Sequence, residues 1–147
     1  MENVMGQPSS AGTKVVEMRR GAYWFFGIAI LSVINSLAVT FGGMANMLFG
    51  LGATRVVDEA FKASTLSAVS SSGLAISLAI AAVFAAFGYF ARRGSDIAFI
   101  LGMFLYVIDA MILIAFRDMF AFGFHMVAVF FLFKGLLASR RRLDPSV

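Results

Sequence analysis

Cysteine is absent from this chain of 147 residues. The absence excludes disulfide bonds, iron–sulfur ligation and thiol catalysis. Charged residues are also scarce, at 14% of the chain, and they lie at the edges of long apolar runs. Because so few charges cannot cover a water-exposed surface, a conventional soluble domain is excluded as well.

Apolar residues are correspondingly abundant. They make up 61% of the chain, and the mean hydropathy of +0.90 is typical of membrane proteins. The basic residues, which give a net charge of +4, border the apolar runs and form neither a basic face nor a basic tail with aromatics. We therefore expect contacts with membrane lipids and no nucleic-acid partner.

Four apolar runs are each long enough, at ~1.5 Å per residue, to cross a hydrocarbon core of ~30 Å. They cover residues 21–42, 66–90, 97–116 and 119–138. The sequence thus predicts an all-α, four-helix membrane bundle between a polar N-terminus (1–20) and a basic tail (139–147). Residues 1–20 contain no hydrophobic segment, so no cleavable signal peptide is expected and the first span acts as its own insertion signal.

The distribution of basic residues predicts the orientation of the bundle. Nine lie on one side, namely Lys14, Arg19, Arg20, Arg92, Arg93, Lys134, Arg140, Arg141 and Arg142. Three lie on the other side, namely Arg55, Lys62 and Arg117. Since basic residues concentrate on the cytoplasmic side of membrane proteins, both termini are predicted to be cytoplasmic.

The segment between the first two spans, residues 43–65, is too short and too charged to be a fifth span but too apolar for a simple loop. We expect it to lie in the outer interface as an amphipathic segment. It either covers the bundle as a plain connector or acts as a lid, for which the candidate residues are Arg55, Asp58 and Glu59.

Small residues form a stripe along the second span. They are Ala68, Ser72, Ala75, Ala79, Ala82 and Ala86, at alternating spacings of four and three. Small side chains let helix backbones approach closely in a membrane, so the stripe is expected to face protein. Its partner is either another helix of this chain or a neighbouring subunit of a homo-oligomer.

Polar residues occur near one depth in all four spans. Asp109 lies eight residues before Arg117 and His125 lies eight residues after it, so both are about 12 Å below the outer ends of their helices. We expect these two side chains to meet. The full set of candidate ligand or proton-site residues is Asp109, His125, Asn35, Tyr106, Ser72, Ser71 and Ser32.

This polar layer has a structural and a functional interpretation. The side chains could serve only as interhelical hydrogen bonds, or they could bind a ligand or handle a proton, since ionisable residues at membrane depth mark functional sites by default. A triad of Ser72, His125 and Asp109 is a weaker alternative because no nucleophile elbow accompanies it. One histidine with one buried carboxylate supplies too few ligands for a metal.

Short motifs in the chain resemble those of a widespread, uncharacterised group of small four-span bacterial inner-membrane proteins. They are Trp24-Phe25-Phe26, Leu31-Ser32-Val33-Ile34-Asn35-Ser36, Phe49-Gly50-Leu51-Gly52, Leu105-Tyr106-Val107-Ile108-Asp109 and Phe124-His125. The resemblance extends over residues 21–142. It implies a bacterial inner-membrane location and supplies no activity, ligand or catalytic residue.

The sequence therefore favours a non-enzymatic membrane protein without a cofactor. The first hypothesis is that it binds an apolar or amphipathic ligand, or a membrane-protein partner, in a polar-floored cavity open to the outer leaflet. The alternative is a proton-coupled small transporter or relay that uses Asp109 and His125. An intramembrane hydrolase is the third hypothesis.

Overall fold

The computed structural model describes residues 10–40, 53, 56, 57 and 67–143, with side chains described over 12–38, 53, 56, 57 and 73–141. Over this part the chain forms four helices. They are α1 (Ser10–Thr40), α2 (Ser67–Arg92), α3 (Asp96–Ala115) and α4 (Met119–Leu143). The architecture is the predicted all-α four-helix bundle.

The four helices pack in a square arrangement in which each helix contacts two neighbours. α1 contacts α2 and α4, and α3 contacts the same two helices, with the loosest contact between α2 and α3. All four helices are long and apolar enough to cross a membrane. We call the end of the bundle that carries Arg92, Arg93 and Arg140 the basic end, and the half beneath the Arg117 turn the polar half.

Two helices continue beyond the predicted spans. α1 begins at Ser10, inside the segment predicted as a polar terminus, and α4 continues through the basic tail to Leu143. The Lys14 Nζ atom donates a hydrogen bond to the carbonyl oxygen of Arg141, 3.2 Å away, and joins the two extensions. Charged residues mark the boundary of the segment that enters lipid, but they do not end a helix, because lysine and arginine are good helix formers. A helix can therefore extend beyond its apolar run.

In the turn between α2 and α3, the residue that terminates α2 is followed directly by the residue that caps α3. Gly94 has φ of 88°, its N–H donates to the Ala91 carbonyl at 2.9 Å, and the Ser95 N–H donates to the Phe90 carbonyl at 3.2 Å. This is the Schellman arrangement, in which glycine avoids the steric cost of the left-handed conformation. The Ser95 hydroxyl then accepts from the Ala98 N–H and caps α3.

The turn between α3 and α4 repeats this arrangement without glycine. Arg117 takes the left-handed position with φ of 56°, and the Asp118 N–H donates to the Leu113 carbonyl at 3.0 Å. The Asp118 carboxylate accepts from the Ala121 N–H at 3.1 Å and caps α4. Both hairpins are therefore tight, which keeps α3 and α4 antiparallel and in fixed register.

Glycines bring the helices together near the basic end. A Cβ atom on Gly135 would lie 2.8 Å from the Gly21 Cα, so α1 and α4 cross backbone to backbone. The Phe25 ring fills the notch over Gly102, where a Cβ would lie 2.5 Å from it, and tilts against Phe99 with ring centres 6.0 Å apart. Interdigitation of rings and glycines holds this part of the bundle.

The small-residue stripe of α2 does not face the bundle. Its four alanines with described side chains, Ala75, Ala79, Ala82 and Ala86, are exposed. The buried residues on the inward face of α2 are Gly73, Ser77, Ala81, Phe84, Gly88 and Ala91. The two faces are offset by two residues, about 200° around the helix, so they are opposite. Within the described part of the chain no helix buries these four alanines, and contact with a neighbouring subunit stays a prediction.

Candidate functional site

Asp109 and His125 lie in direct contact in the polar half, between α3 and α4. The His125 Nε2 atom is 2.9 Å from the Asp109 Oδ2 atom. His125 has no exposed surface and Asp109 is 3% exposed. The α3–α4 turn produces this contact because it fixes the register of two antiparallel helices on which these residues stand at matching distances from Arg117.

The second ring nitrogen of His125 fixes the protonation pattern of the pair. Nδ1 lies 2.8 Å from the carbonyl oxygen of Ala121, one turn earlier on α4. A carbonyl oxygen only accepts hydrogen bonds, so Nδ1 carries a proton. The contact between Nε2 and Oδ2 then holds one further proton, either on an imidazolium facing a carboxylate or on a carboxylic acid facing a neutral imidazole.

Two further groups enclose the pair. The Tyr106 ring stacks on the imidazole with ring centres 4.3 Å apart and an angle of 14° between the planes. The backbone N–H of Ala53, which belongs to the connection between α1 and α2, donates to Asp109 Oδ1 at 2.7 Å. Both carboxylate oxygens thus have a hydrogen-bond partner, as a buried carboxyl group requires.

Other polar side chains of α1 and α2 are buried in the same half. They are Ser32, Asn35, Ser36 and Ser77. The Ser32 hydroxyl donates to the Ile28 carbonyl at 2.9 Å, which satisfies it within its own helix. Among the described residues, the polar layer is therefore built from all four helices, and its ionisable side chains lie on α3 and α4.

The layer is not at a single depth. Counting residues from the Gly21–Gly135 crossing along the antiparallel helices α1 and α4 places Ser32 within one residue of the level of His125. The contact between Phe25 and Gly88 likewise places Ser36 level with Ser77. Asn35, Ser36 and Ser77 lie about one helical turn, ~5.4 Å, nearer the outer end than the ionisable pair.

The structure brings together three of the predicted site residues, Asp109, His125 and Tyr106. Ser32 and Asn35 are buried on α1 at the levels given above. The side chains of Ser71 and Ser72 lie outside the described residues. The candidate lid residues Arg55, Asp58 and Glu59 also lie outside the described residues.

Sequence reasoning missed the Ala53 amide and the buried Ser36 and Ser77. A main-chain donor leaves no signature in side-chain chemistry, so Ala53 could not have been found. Ser77 could have been found, because it stands two turns from Phe84 on a face that also carries Ala81 and Gly88. The adjacent Ser71 and Ser72 are the more conspicuous polar residues of α2 in the sequence.

The large grooves described in the bundle are apolar and face outward. One, of about 480 Å³, lies between α3 and α4, and another, of about 340 Å³, lies between α1 and α2. The α3–α4 groove is lined by Ile100, Met103, Phe104, Val107, Met126, Val129, Phe130 and Phe133. Neither groove is lined by Asp109 or His125, so neither is the polar-floored cavity expected from the sequence.

The hydrogen bonds of His125 also argue against a hydrolytic triad. A triad histidine uses one nitrogen for the carboxylate and the other for the serine hydroxyl. Here the second nitrogen is occupied by the Ala121 carbonyl. Among the described residues no group of three histidine or carboxylate side chains is placed to hold a metal ion.

The fold and the site together define a class, the multi-pass helical membrane proteins with a buried ionisable pair. Comparison of the chain with protein families, curated proteins and solved structures finds no match.

Proposed function

We propose that this chain is a non-enzymatic membrane protein that handles protons, and that the Asp109–His125 pair takes up and releases them. The observation that supports this proposal is the 2.9 Å contact between two ionisable side chains that are both buried at membrane depth. Keeping such groups in a bilayer costs free energy, ~2.5 kcal/mol or more for an uncompensated aspartate, and function is the default reason to retain them.

The packed pair is stable with one shared proton. If that proton left, the Nε2 lone pair would face Oδ2 at 2.9 Å without a hydrogen between them. Moving the Nδ1 proton to Nε2 would restore this bond but leave Nδ1 against the Ala121 carbonyl. Loss of the proton therefore breaks one of the two hydrogen bonds of the imidazole.

Uptake of a second proton weakens the contacts of the pair. Each Asp109 oxygen already faces a donor, the Ala53 N–H at Oδ1 and the imidazole at Oδ2. A proton added to the carboxylate of the ion pair would take another lone pair and remove the negative charge that strengthens both of these hydrogen bonds. Proton exchange is thus coupled to movement between α3, α4 and the backbone at Ala53, as a proton-coupled transporter or relay requires.

Proton flux into liposomes containing the purified protein tests this proposal. Internal pH is followed with a pH-sensitive dye after a pH step. We expect flux in the wild type and its loss in Asp109→Asn and His125→Gln. Asp118→Asn is the matched control, because asparagine caps a helix as well as aspartate does, and it should retain the flux. Wild-type flux equal to that of protein-free liposomes, or flux that persists in folded Asp109→Asn, contradicts the proposal.

A second candidate function is the binding of a small amphipathic ligand or a membrane-protein partner at the same pair. The observation that favours it is that a main-chain N–H of the connection between α1 and α2 donates to Oδ1 of Asp109. A ligand with an N–H or O–H donor could take that position. Bound ligand recovered with the wild type but not with folded Asp109→Asn would support this function.

We further propose that the protein is located in a bacterial inner membrane with both termini in the cytoplasm. The arginine and lysine asymmetry supports this orientation, and the natural absence of cysteine makes it testable. Single cysteines at Gly12, Gly94 and Ser146 should resist a membrane-impermeant thiol reagent in intact cells, while one at Ala60 should react. The reverse labelling pattern would overturn the orientation.

A further inference from the structure

A small cleft opens between α1 and α4 near the basic end. It has a volume of about 70 Å³ and is lined by Glu17, Arg20, Gly21, Phe131 and Lys134. The cleft lies beside the crossing of α1 and α4, where the backbones of Gly21 and Gly135 are in close contact. Roughly 15 Å³ of such volume holds one water molecule, so the cleft can admit a phosphate-sized group.

Two cations border the cleft. Arg20 and Lys134 are both exposed, and within the described part of the chain neither forms an ion pair. The Lys134 ammonium lies 5.7 Å from the centre of the Phe130 ring. Lys134 stands inside the apolar run of α4, and its long aliphatic stem lets the ammonium reach the interface, where lipid phosphates lie.

The third charge of the cleft is negative and lies farther from the bilayer. Glu17 precedes Arg20 by three residues and is therefore on the same side of α1, about 4.5 Å farther along the axis toward the N-terminus. On the bilayer side, the Trp24 and Phe131 rings stack with centres 4.7 Å apart and 7° between their planes. The order outward from the bilayer is aromatic, basic and then acidic.

We propose that this cleft binds the headgroup of a phospholipid that carries both a phosphate and a primary ammonium group, from the leaflet at the basic end. Arg20 and Lys134 bind the phosphate, and Glu17 accepts hydrogen bonds from the ammonium, which a two-carbon linker places beyond the phosphate. The acyl chains lie against the stacked pair of Trp24 and Phe131. A quaternary choline headgroup has no N–H to donate, and a glycerol headgroup has no positive charge for Glu17.

Native mass spectrometry of the purified protein with equal amounts of phosphatidylethanolamine, phosphatidylcholine and phosphatidylglycerol tests the proposal. We expect the wild type to retain phosphatidylethanolamine over each of the others by about fivefold. Glu17→Gln should abolish this preference while phosphatidylglycerol still binds. The double variant Arg20→Gln with Lys134→Gln should lose the retention of all three lipids.

Arg93→Gln is the matched control, because Arg93 is exposed at the same end but lies over the Tyr89 ring, 4.4 Å from its centre, outside the cleft. It should leave the preference unchanged, and thermal unfolding should show that every variant is folded. Equal retention of the three lipids by the wild type, or the same loss in Arg93→Gln, overturns the proposal. So does displacement of the lipid by inorganic phosphate, which would mean that the cleft binds free phosphate.

Discussion

The two halves of the bundle are held together by different means. Toward the basic end, rings occupy notches over glycines, as Phe25 does over Gly102, and α1 crosses α4 at Gly21. In the polar half, α3 and α4 are joined by the hydrogen bond between Asp109 and His125. The contacts between rings and glycines toward the basic end allow one packed arrangement. The pair in the polar half shares a proton and has several protonation states, so the polar half is the part of the bundle that can change conformation.

We expect the largest loss of stability from adding a methyl group where the glycines of α1 and α4 cross. Gly21→Ala or Gly135→Ala should lower the free energy of unfolding by about 2–3 kcal/mol, because α1 and α4 cannot separate without losing contacts. Reversible unfolding in a defined detergent measures this effect.

Gly27→Ala and Gly123→Ala are the controls in the same two helices, since a Cβ at either position would meet nothing within 4 Å. They should be neutral or stabilising by up to ~1 kcal/mol, because alanine is the better helix former. A loss in Gly27→Ala as large as that in Gly21→Ala would show that the crossing does not hold α1 and α4 together.

The next largest effect concerns the pair in the polar half. Asp109→Asn and His125→Gln should be non-additive, with a coupling free energy of about 0.5–3 kcal/mol, because either substitution alone already removes the contact. A double-mutant cycle measures the coupling. Asp109→Asn combined with Arg93→Gln, at opposite ends of the bundle, should be additive within ~0.5 kcal/mol. Additivity of the first pair would mean that the two side chains do not interact.

Substitutions on the two faces of α2 should change the free energy of unfolding less, and by different amounts on each face. Ala81→Leu, at a position 2% exposed, should cost about 1–2 kcal/mol by overpacking the interior. Ala79→Leu, on the outward stripe, should leave the stability of the single chain within about 0.5 kcal/mol. If Ala79→Leu instead reduced the molecular mass of the purified assembly, the stripe would contact a neighbouring subunit. Equal destabilisation by both would contradict the assignment of the faces.

The smallest effect is expected at the α3–α4 turn, which fixes the register of the pair. Arg117→Gly should stabilise the protein by about 0.5 kcal/mol, since glycine adopts the left-handed conformation without the cost that a Cβ imposes. Arg117→Ala retains the Cβ and should give no gain. Thermal unfolding of the two variants distinguishes them, and a gain in Arg117→Ala would point to the charge of Arg117 and not to its backbone.

The sequence was sufficient to predict the four helices, the α3–α4 hairpin and the approach of Asp109 to His125. Each of these predictions depended on distances along the sequence, namely the length of an apolar run and the number of residues to a turn. It was insufficient for the inward face of α2, because small residues occur on both sides of that helix and their spacing does not distinguish lipid from protein. The Ala53 hydrogen bond depends on a backbone position that no residue type reveals.

His125 is the single histidine of the chain, so ¹⁵N-histidine labelling and NMR in lipid observe the central pair without ambiguity. The structure predicts that Nδ1 carries a proton in the packed pair that shares one proton, and that Nε2 forms a strong hydrogen bond that is lost in Asp109→Asn. A neutral ring protonated only at Nε2, with a bare Nδ1 at every pH at which the protein is folded, would contradict the arrangement on which the proposed function is built.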